Sequence, residues 1–186
     1  MKYILASKSP RRKELMRFIS SSFEIAVEDI DEESSYNLPP IEAVKDIAKR
    51  KGEAVDALYP NDLIISADTI VALENEIIGK PLDAEDAKRI LRKLSGKTHF
   101  VYTGFRVKYL DKEVIDVVST EVTFNNLSDS LIDTYVSSGS PLDKAGAYGF
   151  QDNESFHIIK EVIGSIDNVI GFPVKEIKEV VNEVIE

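Results

Sequence analysis

The sequence predicts an α/β fold, and three observations carry the prediction. Strand-like and helix-like segments alternate along the chain, no Pro/Gly/Ser linker, repeat or low-complexity run separates them, and 186 residues suit one domain with a substantial core. Tyr3 to Ala6 is a short apolar run suited to a buried first strand. Ser9-Pro10 opens a helix to about Ile19, with serine at the cap and proline at the first helical position. A second helix follows Pro39-Pro40 and runs to about Leu58. Leu63 to Leu73 reads as a strand, Glu74-Asn75-Glu76 as its turn and Ile77-Ile78 as the partner. Asp83 caps a helix whose Ala87, Ile90, Leu91 and Leu94 recur at helical spacing, and Gly96 stops it. Phe100 to Leu110 and Val114 to Phe124 are long strands joined by Asp111-Lys112; Ser128 caps a short helix through Val136. Phe156 to Ile163 is a further strand, and a last helix begins near Pro173 with Val174, Ile177, Val180, Val181, Val184 and Ile185 on its packing stripe.

The composition excludes several function classes. No apolar stretch approaches a membrane span, and Tyr3 to Ala6 is too brief for the core of a secretory signal, so a cytoplasmic protein without membrane contact is expected. The absence of cysteine removes disulfides, thiolate metal sites and cysteine nucleophiles, while His99 and His157 have no ligand spacing. A net charge of -10 and a pI near 4.8 argue against nucleic acid as a partner, because such a surface repels phosphates except at local basic spots. Local basic spots therefore become informative.

One such spot is Ser7 to Lys13, where Arg11, Arg12 and Lys13 crowd the first turn of a helix. Cations there oppose the helix dipole, which makes the helix start a natural phosphate seat; alternatively the side chains splay into water and pair with acidic neighbours. On the first view, removing Arg12 should cost little or no fold stability. Lys51 falls on the apolar stripe of Val44, Ile47, Ala48 and Val55, either snorkelling past the helix edge or reaching a substrate phosphate. Asp68 sits inside Leu63 to Val71, a segment suited to a buried strand, where a carboxylate needs a cation or several donors. It either holds a divalent ion or activates water, or accepts backbone hydrogen bonds at a bulge. Lys80, between Gly79 and Pro81, adds a cation close by in sequence. Asp143 to Gln151 packs charge, two glycines, Tyr148 and an amide into one loop-like stretch, suited to close approach of a ligand or to a tight turn.

Taken together, LASKSPRR, ISADTIV followed by IIGKP, LSGKTHFVYTG and DKAGAYGFQ, in this order over nearly the whole chain, resemble the Maf family of nucleoside triphosphate pyrophosphatases, also named septum formation inhibitors. The resemblance implies a two-lobed α/β fold with a long mixed sheet and flanking helices, similar to inosine triphosphate pyrophosphatases, with the active cleft between the lobes of a single domain over residues 1–186. It implies Asp68 as the proton acceptor, and Arg12, Thr69 and Gln151 as the residues that shape substrate choice. Ser9, Arg12, Lys51 and Lys80 match the phosphate-handling positions, and an acidic residue near Glu33 would assist Asp68 in holding a magnesium or manganese ion. A nucleoside triphosphate substrate and a homodimer are further implications.

The DKAGAYGFQ loop resembles the dTTP/UTP subgroup, with a 7-methyl-GTP subgroup and a division regulator acting by binding as the alternatives. Three departures stand out. Ser140 replaces a glutamate before the loop, Asp152 replaces a glycine after Gln151, and Gly52 replaces an alanine after Lys51.

Overall fold

The computed structural model describes residues 1–186 and forms a mixed sheet of seven strands flanked by helices. In chain order the elements are β1 (Tyr3–Leu5), α1 (Pro10–Met16), β2 (Glu24–Ile25), α2 (Pro40–Asp56), β3 (Leu63–Leu73), β4 (Glu76–Ile78), α3 (Ala84–Leu94), β5 (Thr98–Tyr109), β6 (Lys112–Phe124), α4 (Asp129–Ser137), α5 (Asn153–Phe156), β7 (Ile159–Ile163), α6 (Ile166–Ile170) and α7 (Val174–Ile185). The sheet order is β2-β1-β3-β5-β6-β7, with β4 paired to β3. β1 lies parallel to β2 and β3, whereas β4 and β7 run antiparallel to β3 and β6. No helix is long and apolar enough to cross a membrane.

The predicted β3, the cap of α3 by Asp83 and the cap of α4 by Ser128 are present. α1 ends at Met16, earlier than Ile19, and gives way to turns that reach Ser20. The strand expected from Phe156 begins only at Ile159, because His157 is in the left-handed region (φ 50°) and closes α5. The Asn153 side chain locks that corner by accepting the Ile159 amide at 2.6 Å. Leu110, another left-handed residue at φ 51°, turns β5 into β6.

The chain divides into two compact units. The first comprises Met1–Thr69, Thr103–Val118 and Gly171–Glu186; the second comprises Ile70–Tyr102 and Ser119–Ile170. In the first unit the pleat of β1 and β3 sorts side chains by parity. Leu5, Leu63, Ile65 and Ala67 join Met16 of α1 and Ile177, Val181 and Val184 of α7 in one cluster. Ile4, Ala6 and Ile64 point the other way and pack with Val55 of α2.

α2 is fastened to its strand by two polar devices. Ser66 donates to the Ala48 carbonyl at 2.6 Å, entirely buried. Arg106 of β5, 1% exposed, crosses α2 to meet both oxygens of Asp56 at 2.9 and 2.8 Å, and its Nε meets Glu113 at 2.5 Å. Burial works against the guanidinium charge, but Asp56 and Glu113 outweigh it and hold its pKa above the ordinary value. Gly52 makes this crossing possible, since a Cβ there would lie 2.4 Å from Arg106 Nη1 and 2.7 Å from Ser66 Oγ. The departure from alanine at this position thus has a steric cause.

The second unit packs Ala87, Ile90, Leu91 and Leu94 of α3 against Ile132, Tyr135 and Val136 of α4 and the apolar side chains of its strands. His99 lies within it, fully buried, edge-on to Phe124 and bonded through Nε2 to the Tyr148 hydroxyl at 2.7 Å. Burial lowers the His99 pKa to about 4, so the ring is neutral at physiological pH.

Candidate active site

The pleat that builds the first unit also sorts its chemistry. Asp68 shares its parity with Ser66 and Ile64 and so faces α2; Thr69 shares that of Ala67 and Ile65 and faces the α1 side. Adjacent residues therefore serve two different groups of side chains.

On the α2 side, Lys51 Nζ meets Asp68 Oδ1 at 2.7 Å and Glu32 Oε1 at 2.8 Å, with the lysine and Asp68 side chains only 17% and 10% exposed. Lys51 is thus neither snorkelling nor idle; it is shared by two carboxylates, a geometry that answers the need of a buried aspartate for a cation. Glu33, the acidic residue expected near a metal, is exposed in a 3-10 turn spanning Glu33–Asn37, and its neighbour Glu32 is the carboxylate beside Lys51. Tyr36 lies in that turn: burial of its phenol, reinforced by the charges of Asp68, Glu32 and Glu33, pushes its pKa up to about 12.

No group of three or more His, Cys, Asp or Glu gathers as a metal cage. Two carboxylates converging on one ammonium do, however, form an all-oxygen donor pair around a cationic point, the hard donor set that magnesium and manganese take when phosphates and water supply the remaining positions. The donor chemistry suits such an ion, and the point where the two carboxylates converge is held by the Lys51 ammonium.

On the α1 side, Ser9 caps the helix, its Oγ accepting the Arg12 amide at 3.4 Å. The Arg12 side chain, half-buried, donates from Nε to the Gly171 carbonyl at 2.8 Å, from Nη2 to Thr69 Oγ1 at 3.0 Å and from Nη1 to Ser7 Oγ at 3.3 Å. Thr69 Oγ1 in turn lies 2.9 Å from Thr103 Oγ1. Burial lowers the Arg12 pKa, with Asp68 and Glu32 acting in the opposite sense. These bonds correct the expectation that Arg12 is indifferent to stability: its donors tie α1 to β3 and to the start of the C-terminal segment.

The structure thus brings Ser9, Arg12, Lys51, Asp68 and Thr69 together in the first unit, and adds Ser7, Glu32, Thr103 and Gly171, which sequence reasoning did not single out. Lys80 and Gln151 belong to the second unit. There the Gly146 amide donates to the Gly79 carbonyl at 3.0 Å, which joins the glycine-rich loop to the turn that carries Lys80. Gly146, at φ 71° and with Val71 Cγ2 2.9 Å from where a Cβ would be, sits where only glycine fits. Lys80 and Gln151 are both exposed. The departures at positions 140 and 152 pair with each other, Ser140 Oγ donating to Asp152 Oδ2 at 2.8 Å.

Residues 2–184 match the family model described as Maf-like protein. The chain belongs to the Maf family. It is similar to a dTTP/UTP pyrophosphatase of Anaeromyxobacter dehalogenans, 45% identical over 177 residues that span 93% of this chain and 89% of that one. It is also similar to a dTTP/UTP pyrophosphatase of Bacillus cereus, 43% identical over 182 residues and covering 96% and 95% of the two chains. Among solved structures, the Staphylococcus aureus Ham1 protein aligns with this Maf chain at a TM-score of 0.58, covering 98% of this chain and 99% of that one at 13% identity. A Coxiella burnetii HAM1 protein aligns over the same shares at 0.51 and 13%. At that identity the likeness concerns the fold, which is the one expected for the Maf chain.

Proposed function

We propose that this chain hydrolyses dTTP and UTP to the nucleoside monophosphate and pyrophosphate, acting as a cytoplasmic homodimer. The observation that carries the reaction is the Lys51 ammonium shared by Asp68 and Glu32, a paired charge on a strand that also carries Thr69 against Arg12. The substrate class is that named for the two relatives.

In this reading water attacks the α-phosphorus, the bond from that phosphorus to the bridging oxygen breaks, and pyrophosphate leaves. Lys51 fixes Asp68 through Oδ1, and the water's proton passes to the carboxylate as the new bond forms. Arg12, oriented by Gly171, Thr69 and Ser7, and Lys80 present positive charge to the phosphates, while the Ser9-capped start of α1 adds its dipole. A magnesium or manganese ion, held by Asp68 and Glu32, would neutralise charge developing on the phosphates. Gln151 is assigned to the base, since an amide meets one carbonyl and the adjacent N–H of uracil or thymine together.

A panel of nucleoside triphosphates with chromatographic identification of products tests the proposal. Pyrophosphate and monophosphate from dTTP and UTP in the presence of magnesium or manganese are expected; nucleoside diphosphate with orthophosphate overturns the reaction type. Light scattering at working concentration tests the dimer.

A further inference from the structure

Gln151 is exposed on a 3-10 turn, Phe150–Asp152, and an amide free to rotate by half a turn offers uracil and cytosine equally good patterns. Base choice therefore needs a turn that presents Gln151 from one fixed position. The Tyr135 phenol supplies that fixation. It lies on α4, is 1% exposed, and bonds the turn on both sides of Gln151. On one side it accepts the Gly149 amide at 3.1 Å; on the other it donates to Asp152 Oδ2 at 2.6 Å. The Asp152 amide closes the turn by donating to the Gly149 carbonyl at 3.2 Å.

Two further contacts stiffen this arrangement. Ser140 Oγ donates to the same Asp152 oxygen at 2.8 Å, and Lys144 Nζ donates to Ser140 Oγ at 3.1 Å. The Lys144 stem runs beneath Gly149, where a Cβ would meet its Cε at 2.7 Å. Burial, and then the bond to the carboxylate, raise the Tyr135 pKa well above its ordinary value, so the phenol stays a donor throughout the working range.

We infer that Tyr135 and Asp152 are positioning residues for base selection, clamping the turn on either side of Gln151 so that its side chain reaches the base from one fixed backbone position. The inference rests on the assignment of Gln151 to the base. Neither clamp residue need touch the substrate: the phenol is buried in α4, and the Asp152 carboxylate is turned toward Tyr135 and Ser140.

The test compares kcat/KM for UTP and CTP, with pyrophosphate release as the readout, in Tyr135→Phe, Asp152→Ala, Asp152→Asn and Gln151→Ala. Far-UV circular dichroism of each variant keeps a folding defect distinct, and Asp152→Ala, at a half-buried turn, is the variant least exposed to one. Tyr135→Phe and Asp152→Ala are each expected to lower the UTP-to-CTP ratio by about tenfold, the loss that follows from one charge-assisted hydrogen bond. Their double variant should lose no more than either alone, because both break the same clamp. Asp152→Asn keeps an acceptor for the phenol and should recover most of the ratio. A ratio unchanged in Tyr135→Phe and Asp152→Ala, while Gln151→Ala lowers it, overturns the clamp and leaves the role of Gln151 standing. A ratio unchanged in Gln151→Ala removes the base-reading assignment and the clamp's purpose with it.

Discussion

Replacing Gly52 with alanine should damage this protein, although helix propensity alone says the reverse. Alanine in a helix interior is favoured over glycine by about 1 kcal/mol. The new Cβ, however, would lie 2.4 Å from Arg106 Nη1, 2.7 Å from Ser66 Oγ and 3.0 Å from Arg106 Cδ. None of these atoms is the loose end of a surface chain. The guanidinium is held by both oxygens of Asp56 and by Glu113, and the hydroxyl by the Ala48 carbonyl. Giving way costs roughly 1–3 kcal/mol of overpacking plus about 1.5–3 kcal/mol if one bond to the charged group is lost. The net is destabilisation by about 1.5–5 kcal/mol, a fall in Tm of roughly 3–20 °C for a chain of this size. Thermal melts followed by circular dichroism measure it, and the pair Gly52→Ala and Arg106→Ala completes a cycle. Alanine at 52 should cost at least about 1 kcal/mol less once Arg106 is gone. Lys51 adjoins the site of insertion, so turnover measured well below the melt should also fall, by about tenfold or more. A Tm that rises, or an alanine cost that is the same with and without Arg106, would refute the steric reasoning.

The remaining expectations concern single groups. Asp68→Asn keeps the shape and removes the charge, so turnover should fall by about 100-fold or more with the fold retained in circular dichroism; near-normal turnover would make Asp68 structural. Arg12→Ala should raise KM and also lower stability by about 1–3 kcal/mol through the lost bonds to Gly171 and Thr69, and an unchanged Tm would show those bonds to be dispensable. His99 has a folded pKa of about 4 against an ordinary 6.5, so the unfolded chain takes up the proton first. Its stabilising contribution is full above about pH 6.5 and is lost as pH falls toward 4; denaturant titrations of His99→Gln between those limits should show a shallower decline than the parent.

What the sequence made legible, it made legible by anomaly. A carboxylate in an apolar strand and an ammonium on an apolar helix stripe each violate the pattern around them, and the structure resolves both violations with one bond between Lys51 and Asp68. Ser7, Thr103 and Gly171 violate nothing where they stand. Their roles arise only from contacts with Arg12 and Thr69, made by residues as far as 159 positions apart. Glu32 is hidden in another way: it lies in an acidic stretch with Asp31 and Glu33, and only the backbone path into the 3-10 turn decides which carboxylate reaches Lys51. Short irregular elements escaped for a related reason. β2 is two residues long, too short for periodicity, and the corner at His157 depends on an Asn153 bond six positions away.

The parity of β3 gives the site its strictest constraint. Asp68 and Thr69 are neighbours in sequence yet serve opposite faces, one the Lys51–Glu32 pair and the other Arg12. A strand has a side-chain period of two, so a slip of one residue that carried Asp68 into the place of Thr69, beside the guanidinium, would leave Ala67 facing Lys51. The aspartate would then still have a cation, and a burial argument alone would not notice the error. Register must be set elsewhere, and the structure sets it with groups that tolerate no exchange. Ser66 bonds the Ala48 carbonyl from the same face as Asp68, while Ile64 packs with Val55 and Ala67 with the opposite cluster. Shifted in that sense, Ile65 would face that carbonyl without a donor, and the Ser66 hydroxyl would take the place of Ala67 in an apolar cluster without a partner. Ser66 thus secures the chemistry of Asp68 by making the alternative register expensive, a task distinct from any contact with substrate.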